Sequence, residues 1–256
     1  MVTKDVHIFP PQYLNEVGKR SNNEDAVYPD APSLQDHLFM VCDGVGGQNK
    51  GEVASRLTCS FFSEFLLKAS SEEEHRKQFE EALSYTEARL AEYIKDHPEC
   101  EGMASTLTAI LFTENYDAVH IAWVGDSRIY HIRNKKILFR TKDHSEVQNL
   151  IDVGEITPEE ARDYPRKNVI LRAVSGSSSP TRLDYRKIED VRDADFFFLC
   201  SDGILEKLRE EELNRWFSSD ANPLEIRNMI FENIAGRTRD NFSMYLIKLR
   251  SVKPPE

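Results

Sequence analysis

Apolar residues in this chain form two kinds of pattern, short continuous runs and longer runs with helical spacing. The runs at residues 38–42 and 196–200 are apolar throughout, LFMVC and FFFLC. Continuous runs of this length, bounded by turn signals, are typical of strands buried in a core. Residues 51–68 and 72–95 instead place apolar side chains on one helical face. Further strands are predicted at residues 105–112, 119–124, 129–132 and 242–249, with residues 134–136 as the turn into one more.

Two later helices carry start signals. Thr157 can cap a helix that begins with Pro158, and Glu160 stands where a capping box requires it. Asn222 precedes another proline in the same way, and Gly236 is the predicted end of that helix. We therefore predict helices that begin after Thr157 and after Asn222.

The order of these elements predicts the fold class. Antiparallel groups of strands with helices inserted between the groups indicate an α+β fold, a layered sandwich of sheets flanked by helices. The sequence has no internal repeat, low-complexity tract or linker. We expect one domain over residues 1–250 and a short tail at residues 251–256.

Composition and charge exclude several classes of protein. The 256 residues are 40% hydrophobic, which suffices for a sizeable core, and 33 basic against 44 acidic residues give a net charge of −11. This balance argues against general nucleic-acid binding. The four cysteines show no CxxC spacing, so we expect buried reduced thiols rather than disulfides or a zinc site. We find neither a leader nor a membrane-length apolar stretch and expect a cytoplasmic protein without membrane contact.

Acidic residues follow the buried-looking runs. Asp43 and Asp202 end two apolar strands, and Asp240 and residues 23–25 add further carboxylates. Carboxylates held together in this way repel one another unless cations neutralise them. Oxygen ligands suit Mg²⁺ or Mn²⁺, and the carbonyl of Gly44 can add another because glycine allows close approach. The pattern predicts a site for two such ions.

Each acidic position also has a structural interpretation. An isolated Asp43-Gly44 pair is more often a turn than a ligand, and Asp240 alone would be an ordinary loop residue. Residues 23–25 alone could be a solvated charge run. Arg20 could be a salt-bridge partner of these carboxylates or a bidentate clamp on a phosphate. The coincidence of several such positions in one domain favours the metal site.

Taken in order, these positions resemble the metal-dependent serine/threonine protein phosphatases of type 2C, in their compact bacterial form. The resemblance extends from residue 18 to residue 241. It implies a four-layer αββα sandwich of two mainly antiparallel sheets with helices outside. The motifs that carry it are GKRSNNED (18–25), DGVGG (43–47), ST (105–106), GDSR (125–128), DHS (143–145), SDG (201–203) and DN (240–241).

The resemblance implies a set of metal ligands. Asp43 would bridge two Mn²⁺ or Mg²⁺ ions, and Gly44 would bind one of them through its carbonyl. Asp202 and Asp240 would bind the other ion. Asp126, together with Asp202, would suit a weaker third ion, with a structural turn aspartate as the alternative.

The resemblance also implies catalytic roles. Glu24 and Asp25 would act through metal-bound waters, Asp25 orienting the nucleophile, and Arg20 would hold the substrate phosphate. One position departs from the pattern, because many eukaryotic members have a histidine where this chain has Val45. His144 lies in a motif whose position indicates a structural hydrogen bond rather than an acid for the leaving group.

Residues 147–174 resemble the family's flap, which lies beside the active site and is expected to meet protein substrates. Its alternative is a surface excursion without substrate preference. The expected function is hydrolysis of phosphoserine and phosphothreonine in proteins, by direct attack of a metal-bridging hydroxide. The expected partners are phosphorylated substrates of a Ser/Thr kinase. A non-catalytic binding module and a regulatory phosphatase with one dedicated partner, such as an anti-sigma-factor antagonist, are the alternatives.

Overall fold

The computed structural model describes residues 5–45, 50–69, 74–177 and 179–252, and within them two antiparallel sheets. The first sheet has strand order β1-β13-β12-β8-β9, with β2 also paired to β13, once its strands are numbered along the chain. Those strands are β1 (Asp5–Ile8), β2 (Gln12–Glu16), β8 (Arg128–Arg133), β9 (Lys136–Arg140), β12 (Phe196–Cys200) and β13 (Phe242–Val252).

The second sheet comprises β3 (Asp25–Tyr28), β4 (Leu38–Val45), β5 (Ala104–Ser105), β6 (Leu107–Phe112), β7 (Val119–Val124), β10 (Val174–Ser175) and β11 (Asp184–Ile188). Its order is β10-β5-β4-β6-β7-β11, and β3 pairs with β4. The helices are α1 (Gly51–Lys68), α2 (His75–Asp96), α3 (Glu146–Asp152), α4 (Pro158–Ala161), α5 (Asp202–Leu205), α6 (Glu210–Trp216) and α7 (Pro223–Ile234), with a 3-10 turn at Pro98–Cys100.

Three apolar layers hold the sandwich together. Alternate side chains of a strand point to opposite faces, so a strand buried on both faces is apolar at every position. In β4, Phe39 packs between the sheets whereas Met40 packs under α1 and α2. In β12, Phe197 faces the other sheet and Phe198 packs under α6 and α7. The layer order is therefore helix, sheet, sheet, helix, as predicted.

Most predicted elements are found with small changes. The helix at Gly51–Lys68 and the strand at Val119–Val124 have the predicted bounds. The predicted strand at residues 105–112 is divided at Thr106, whose N–H donates to the carbonyl of Asp43. The second helix begins at His75, and residues 70–73, where its predicted start falls, lie outside the described residues.

The end of the chain differs from the expectation. Strand β13 continues to Val252, two residues beyond the predicted domain end, because β1 pairs with this extension. The remaining tail, residues 253–256, lies outside the described residues, as do Gly46 and Gly47 of the DGVGG motif. Strands β1, β2, β3, β10 and β11 and helices α3, α5 and α6 were not anticipated from the sequence pattern.

The segment predicted as a flap contains α3 and α4 and is closed at its base. Ser145 and Ile170 form an isolated antiparallel bridge, so the chain leaves and returns at one point. The capping box of Thr157 is present, since its Oγ1 accepts the N–H of Glu160 and its own N–H donates to the Glu160 carboxylate. In the part of the chain that the structure describes, no helix is both long and apolar enough to cross a membrane.

Replacing the cap of α7 should destabilise the domain. The Asn222 side chain accepts the N–H of Leu224 at 2.9 Å, which satisfies one of the free donors of the first turn. We expect Asn222→Ala to lower the free energy of unfolding by about 1 kcal/mol in urea denaturation. Asn222→Asp, which keeps an acceptor, should stay close to the wild-type value. Equal losses in both variants would show that the cap is not responsible.

Candidate metal centre

The predicted carboxylates meet between the ends of the two sheets. Asp25 on β3 lies directly opposite Asp43 on β4 in the strand register. Asp202 follows β12 as the first residue of α5, close enough to Asp43 for each carboxyl group to affect the pKa of the other. Asp240 lies in the loop before β13. Each sheet thus supplies two of the four acidic residues.

The main chain at Asp43 is fixed by hydroxyl groups of the neighbouring segment. Its N–H donates to Thr106 Oγ1 at 2.9 Å, and its carbonyl accepts the Thr106 N–H at 2.8 Å and the Ser105 hydroxyl at 3.1 Å. Thr106 Oγ1 is also 2.8 Å from Ser127 Oγ. This explains the paired hydroxyl motif at residues 105–106, because its two side chains hold the strand end that carries the ligand.

Asp25 is buried and bonded across the sandwich. Ser201 Oγ donates to Asp25 Oδ2 at 2.8 Å, and both residues are inaccessible or nearly so. Ser201 is itself held by Ser243, whose N–H donates to Ser201 Oγ and whose carbonyl accepts the Ser201 N–H, each at 3.0 Å. The interpretation of residues 23–25 as a solvated charge run is therefore wrong for Asp25. Sequence reasoning missed Ser243, whose only signal is a polar residue within an apolar strand.

Two glycines of the motifs allow close contact of main chains. A side chain on Gly203 would put its Cβ 1.8 Å from the Asn241 carbonyl oxygen, and one on Gly44 would put it 2.2 Å from that of Gly51. A Cβ on Gly51 would be 3.0 Å from the Gly44 carbonyl oxygen and 3.1 Å from the Glu24 carboxyl carbon. These two oxygen donors therefore lie side by side at the start of α1. Only residues without side chains permit that arrangement.

Asn241 of the last motif is hydrogen-bonded to the first motif, GKRSNNED, and to the residue before it. Its Oδ1 accepts the Glu24 N–H at 2.9 Å, and its Nδ2 donates to the carbonyls of Val17 and Asn22 at 2.7 and 2.8 Å. Arg20 in the same loop donates to Asp240 Oδ2 at 2.8 Å, and its side chain is 53% exposed. The guanidinium is thus a salt-bridge partner at the solvent side of the site.

Burial and mutual repulsion dominate the electrostatics. Burial, with the charge of Asp202, raises the pKa of Asp25 to about 7. Burial and the charge of Asp240 raise the pKa of Asp202 to about 6, and burial with Asp25 raises that of Asp43 well above its usual range. The mutual repulsion of these carboxyl groups favours binding of a proton within the cluster when no metal is bound. A divalent cation would replace that proton and relieve the repulsion.

The donor set fits hard divalent cations. All donors are carboxylate or carbonyl oxygens, which suits Mg²⁺ and Mn²⁺. Within the described ranges, no three His, Cys, Asp or Glu side chains form a cluster that would hold an ion by themselves. Ions that take one or two carboxylates each and complete their coordination with water match such a site.

Asp126 lies in the turn between β7 and β8, next to the same cluster. It is 9% exposed, and burial followed by the charges of Asp202 and Asp143 raises its pKa to about 8. The turn is made possible by Gly125, which has φ +102° and packs against Thr106. The charge of Asp202 thus acts on Asp126, and the third-ion interpretation of this residue stays a prediction.

Neither Val45 nor His144 is suited to protonate the leaving group. Val45 is apolar and pairs with Ala104 at the end of β4. His144 is buried, and its Nδ1 accepts the N–H of Gly125 at 3.1 Å. Burial and Arg172 lower the pKa of His144, so the ring is neutral near pH 7. The structure places His144 in the structural hydrogen-bond role expected from its motif.

Comparisons with known proteins agree with this geometry. Residues 16–230 match the family model of protein phosphatase 2C. The serine/threonine protein phosphatase PstP of Mycobacterium tuberculosis is 36% identical over 194 residues, 76% of this chain and 36% of PstP, so the chain spans about a third of that relative's length. The serine/threonine phosphatase Stp of Listeria monocytogenes is 31% identical over 185 residues, 71% of this chain and 72% of the relative.

Solved structures give the same result. The crystal structure of the catalytic domain of PstP in complex with two manganese ions has a TM-score of 0.75 and 28% identity, covering 96% of this chain and 99% of that one. The predicted fold class is confirmed, and so, at the level of the family, are the predicted enzyme class and the Mn²⁺ or Mg²⁺ cofactor. The chain belongs to the protein phosphatase 2C family of metal-dependent serine/threonine protein phosphatases.

Proposed function

We propose that this chain hydrolyses phosphoserine and phosphothreonine in proteins with two Mn²⁺ or Mg²⁺ ions. The observation that carries the proposal is the convergence of carboxyl groups from both sheets: Asp25 lies opposite Asp43 in the strand register, and Asp202 at the start of α5 lies close enough to raise the pKa of both. Bound ions would lower the pKa of a water molecule and so would supply a hydroxide for direct in-line attack on phosphorus, without a phosphoenzyme. The names of PstP and Stp support the substrate class.

Different residues are proposed to bind each of the two ions. Asp43 would serve both ions and the Gly44 carbonyl one of them, while Asp202 and Asp240 would bind the other. Glu24 would act through water, since its carboxyl group lies beside the Gly44 carbonyl at the start of α1. These assignments rest on the convergence of oxygen donors described above.

Asp25 is suited to orient the attacking water. Its side chain cannot turn away, because Ser201 holds Oδ2 and β3 fixes the main chain opposite Asp43. A pKa of about 7 in the metal-free protein shows how little solvent stabilises its charge. A carboxylate held in this way keeps its direction during the reaction.

Arg20 is proposed to bind the substrate phosphate. Its guanidinium lies at the solvent side of the site and pairs with Asp240. The same position allows both the salt bridge to Asp240 and a contact with a substrate phosphate. A guanidinium offers two parallel N–H donors to a phosphate. No protein acid is assigned to the leaving group, since Val45 is apolar and His144 is engaged with Gly125.

The proposed partners are phosphorylated proteins, with a Ser/Thr kinase supplying the phosphate, and the proposed location is the cytoplasm without nucleic-acid or membrane contact. Non-catalytic binding modules of this fold usually lose metal carboxylates, whereas all six expected acidic residues are present here: Glu24, Asp25, Asp43, Asp126, Asp202 and Asp240. The regulatory alternative, one dedicated partner, shares the chemistry and differs only in the breadth of substrates.

Removal of one buried ligand should abolish catalysis without unfolding the protein. We expect Asp202→Asn to lower hydrolysis of a phosphothreonine peptide with Mn²⁺ at least about 100-fold, because several kcal/mol of charge stabilisation are lost. EDTA should have the same effect on the wild type. The exposed Asp220→Asn makes the same charge change elsewhere and should remain active. Wild-type turnover in Asp202→Asn would contradict the assignment.

Loss of the proposed phosphate clamp should weaken transition-state binding. Arg20→Ala should lower kcat/KM by an amount that corresponds to about 2–4 kcal/mol of lost transition-state stabilisation, comparable to the loss of one preorganised donor. Arg20→Lys keeps the charge but not the parallel donors, so its loss should be intermediate. Steady-state kinetics with the same peptide measures both. An unchanged kcat/KM in Arg20→Ala would exclude this role.

Without metal, the domain should lose stability as the pH rises. The pKa values of Asp202, Asp25 and Asp126 are about 6, 7 and 8 in the folded state, above the usual carboxyl value of about 4. The folded state therefore binds protons that the unfolded chain has released, and this stabilisation is lost as the pH passes through those folded values.

Urea denaturation in EDTA at pH 5.5 and 8.5 measures the effect, which should be at least about 1 kcal/mol. Saturating Mn²⁺ should reduce it, because the ions replace the protons. The Asp126→Asn protein should show a smaller decrease than the wild type. A stability that rises over this interval in EDTA would disprove the expectation.

A further inference from the structure

The main chain of Gly125, the residue before Asp126, is held by the side chain and the backbone of His144. Gly125 N–H donates to His144 Nδ1 at 3.1 Å, and the Gly125 carbonyl accepts the His144 N–H at 2.8 Å. The N–H and the carbonyl of Gly125 are thereby both hydrogen-bonded to His144. Gly125 has φ +102°, a conformation that residues with a side chain rarely adopt, so the turn requires this glycine. The direction of the Asp126 side chain depends on the turn.

The other side of the imidazole faces the base of the flap. An imidazole that accepts at Nδ1 carries its proton on Nε2. His144 Nε2 lies 3.4 Å from Asp184 Oδ2 and 3.3 Å from Arg172 Nη1, and Arg172 and Asp184 pair at 3.1 Å. The ring also lies nearly parallel to the Trp123 indole, at an interplanar angle of 13°. With Nδ1 accepting from Gly125, the Nε2–H points to the Asp184 carboxylate, and Arg172, which can only donate, pairs with that carboxylate and not with Nε2. These contacts fix the orientation of the ring.

The backbone of His144 belongs to the flap root, residues 144–146 and 169–171. Leu171 N–H donates to the His144 carbonyl at 2.7 Å, and Glu146 N–H donates to the Val169 carbonyl at 3.0 Å. The preceding residue, Asp143, is held by two hydrogen bonds from Arg128 at 2.8 and 2.7 Å. The Asp126 turn and the flap root are therefore connected through a single residue.

A cleft of about 160 Å³ opens at this junction. Asp143, His144, Leu171, Arg172 and Asp184 are among its lining residues. Leu171 is 51% exposed there, although it is a large apolar side chain. Residues that contact His144 therefore line this cleft.

We propose that His144 is a positioning residue: through Nδ1 it fixes the turn that carries Asp126, and it links that turn through its carbonyl to Leu171 of the flap root and through Nε2 to Asp184 at the start of β11. The inference rests on the proposed function, since it gives Asp126 a part in cation binding. Partners of metal ligands commonly change metal affinity by about 10–100-fold when removed. His144 acts here through the Gly125 peptide rather than by contact with substrate.

Two substitutions separate the two ends of the imidazole. In His144→Asn the side-chain oxygen takes the place of Nδ1 and can accept from Gly125, but the side chain is too short for Arg172 and Asp184. In His144→Gln the amide takes the place of Nε2 and the acceptor for Gly125 is lost. Hydrogen exchange of the Gly125 amide in ¹⁵N-glycine-labelled full chain, which contains 11 glycines, is measured in EDTA. Mn²⁺ binding is measured from the EPR signal of free Mn²⁺.

We expect His144→Gln to accelerate Gly125 exchange at least about tenfold and to weaken the lowest-affinity Mn²⁺ site about tenfold. His144→Asn should stay within about twofold of the wild type in both. Wild-type values in His144→Gln, or equal losses in both variants, would overturn the proposal. If the two variants differ from the wild type in this way but the wild type does not hydrolyse the phosphothreonine peptide, the proposed function is refuted and the positioning role remains.

A measurement on the wild type needs no variant. Long-range ¹H–¹⁵N spectra of the histidine rings, of which the chain has seven, distinguish the two tautomers. We expect His144 to carry its proton on Nε2. A proton on Nδ1 would overturn the proposal even if both variants failed to fold, because a protonated nitrogen cannot accept from Gly125.

Discussion

The carboxyl groups of Asp25, Asp43 and Asp202 converge where the two sheets meet, Asp25 buried and the other two half-buried, and their repulsion is the constraint that the surrounding structure must oppose. Buried like charges separate unless their main chains are held or their charge is removed. The sandwich provides the first condition through the Thr106 bonds to Asp43 and the Ser201 bond to Asp25. Protons provide the second in the metal-free protein, and divalent cations are proposed to replace them.

The helices and strands that carry these residues are held by the apolar layers, not by the site. Strands β4 and β12 are buried on both faces, so their ends have little freedom to move. Gly44 and Gly203 then let neighbouring main chains approach at those ends. The rigidity of the core and the small size of two residues together produce a precise arrangement of oxygen atoms in a region of strong repulsion.

Much of this could be predicted from the sequence, because a strand buried on both faces leaves an unbroken apolar run and a helix leaves a period. The order of short motifs then identified the family and the acidic residues. Strands β1, β2 and β11 escaped prediction, since they carry mixed polar and apolar residues and owe their form to pairing with β13 or β7. The role of Ser243 also escaped, because a hydrogen bond between residues far apart in sequence leaves no local pattern.

The bond between Ser201 and Asp25 joins residues 176 positions apart, on opposite sheets. The first half of the chain contributes Asp25 and Asp43, and the second contributes Asp202 and Asp240, so neither half contains a usable set of donors. Such a centre cannot be moved to another protein as one continuous peptide. It exists only while the two sheets remain stacked, which makes the integrity of the whole sandwich a condition for chemistry at its edge.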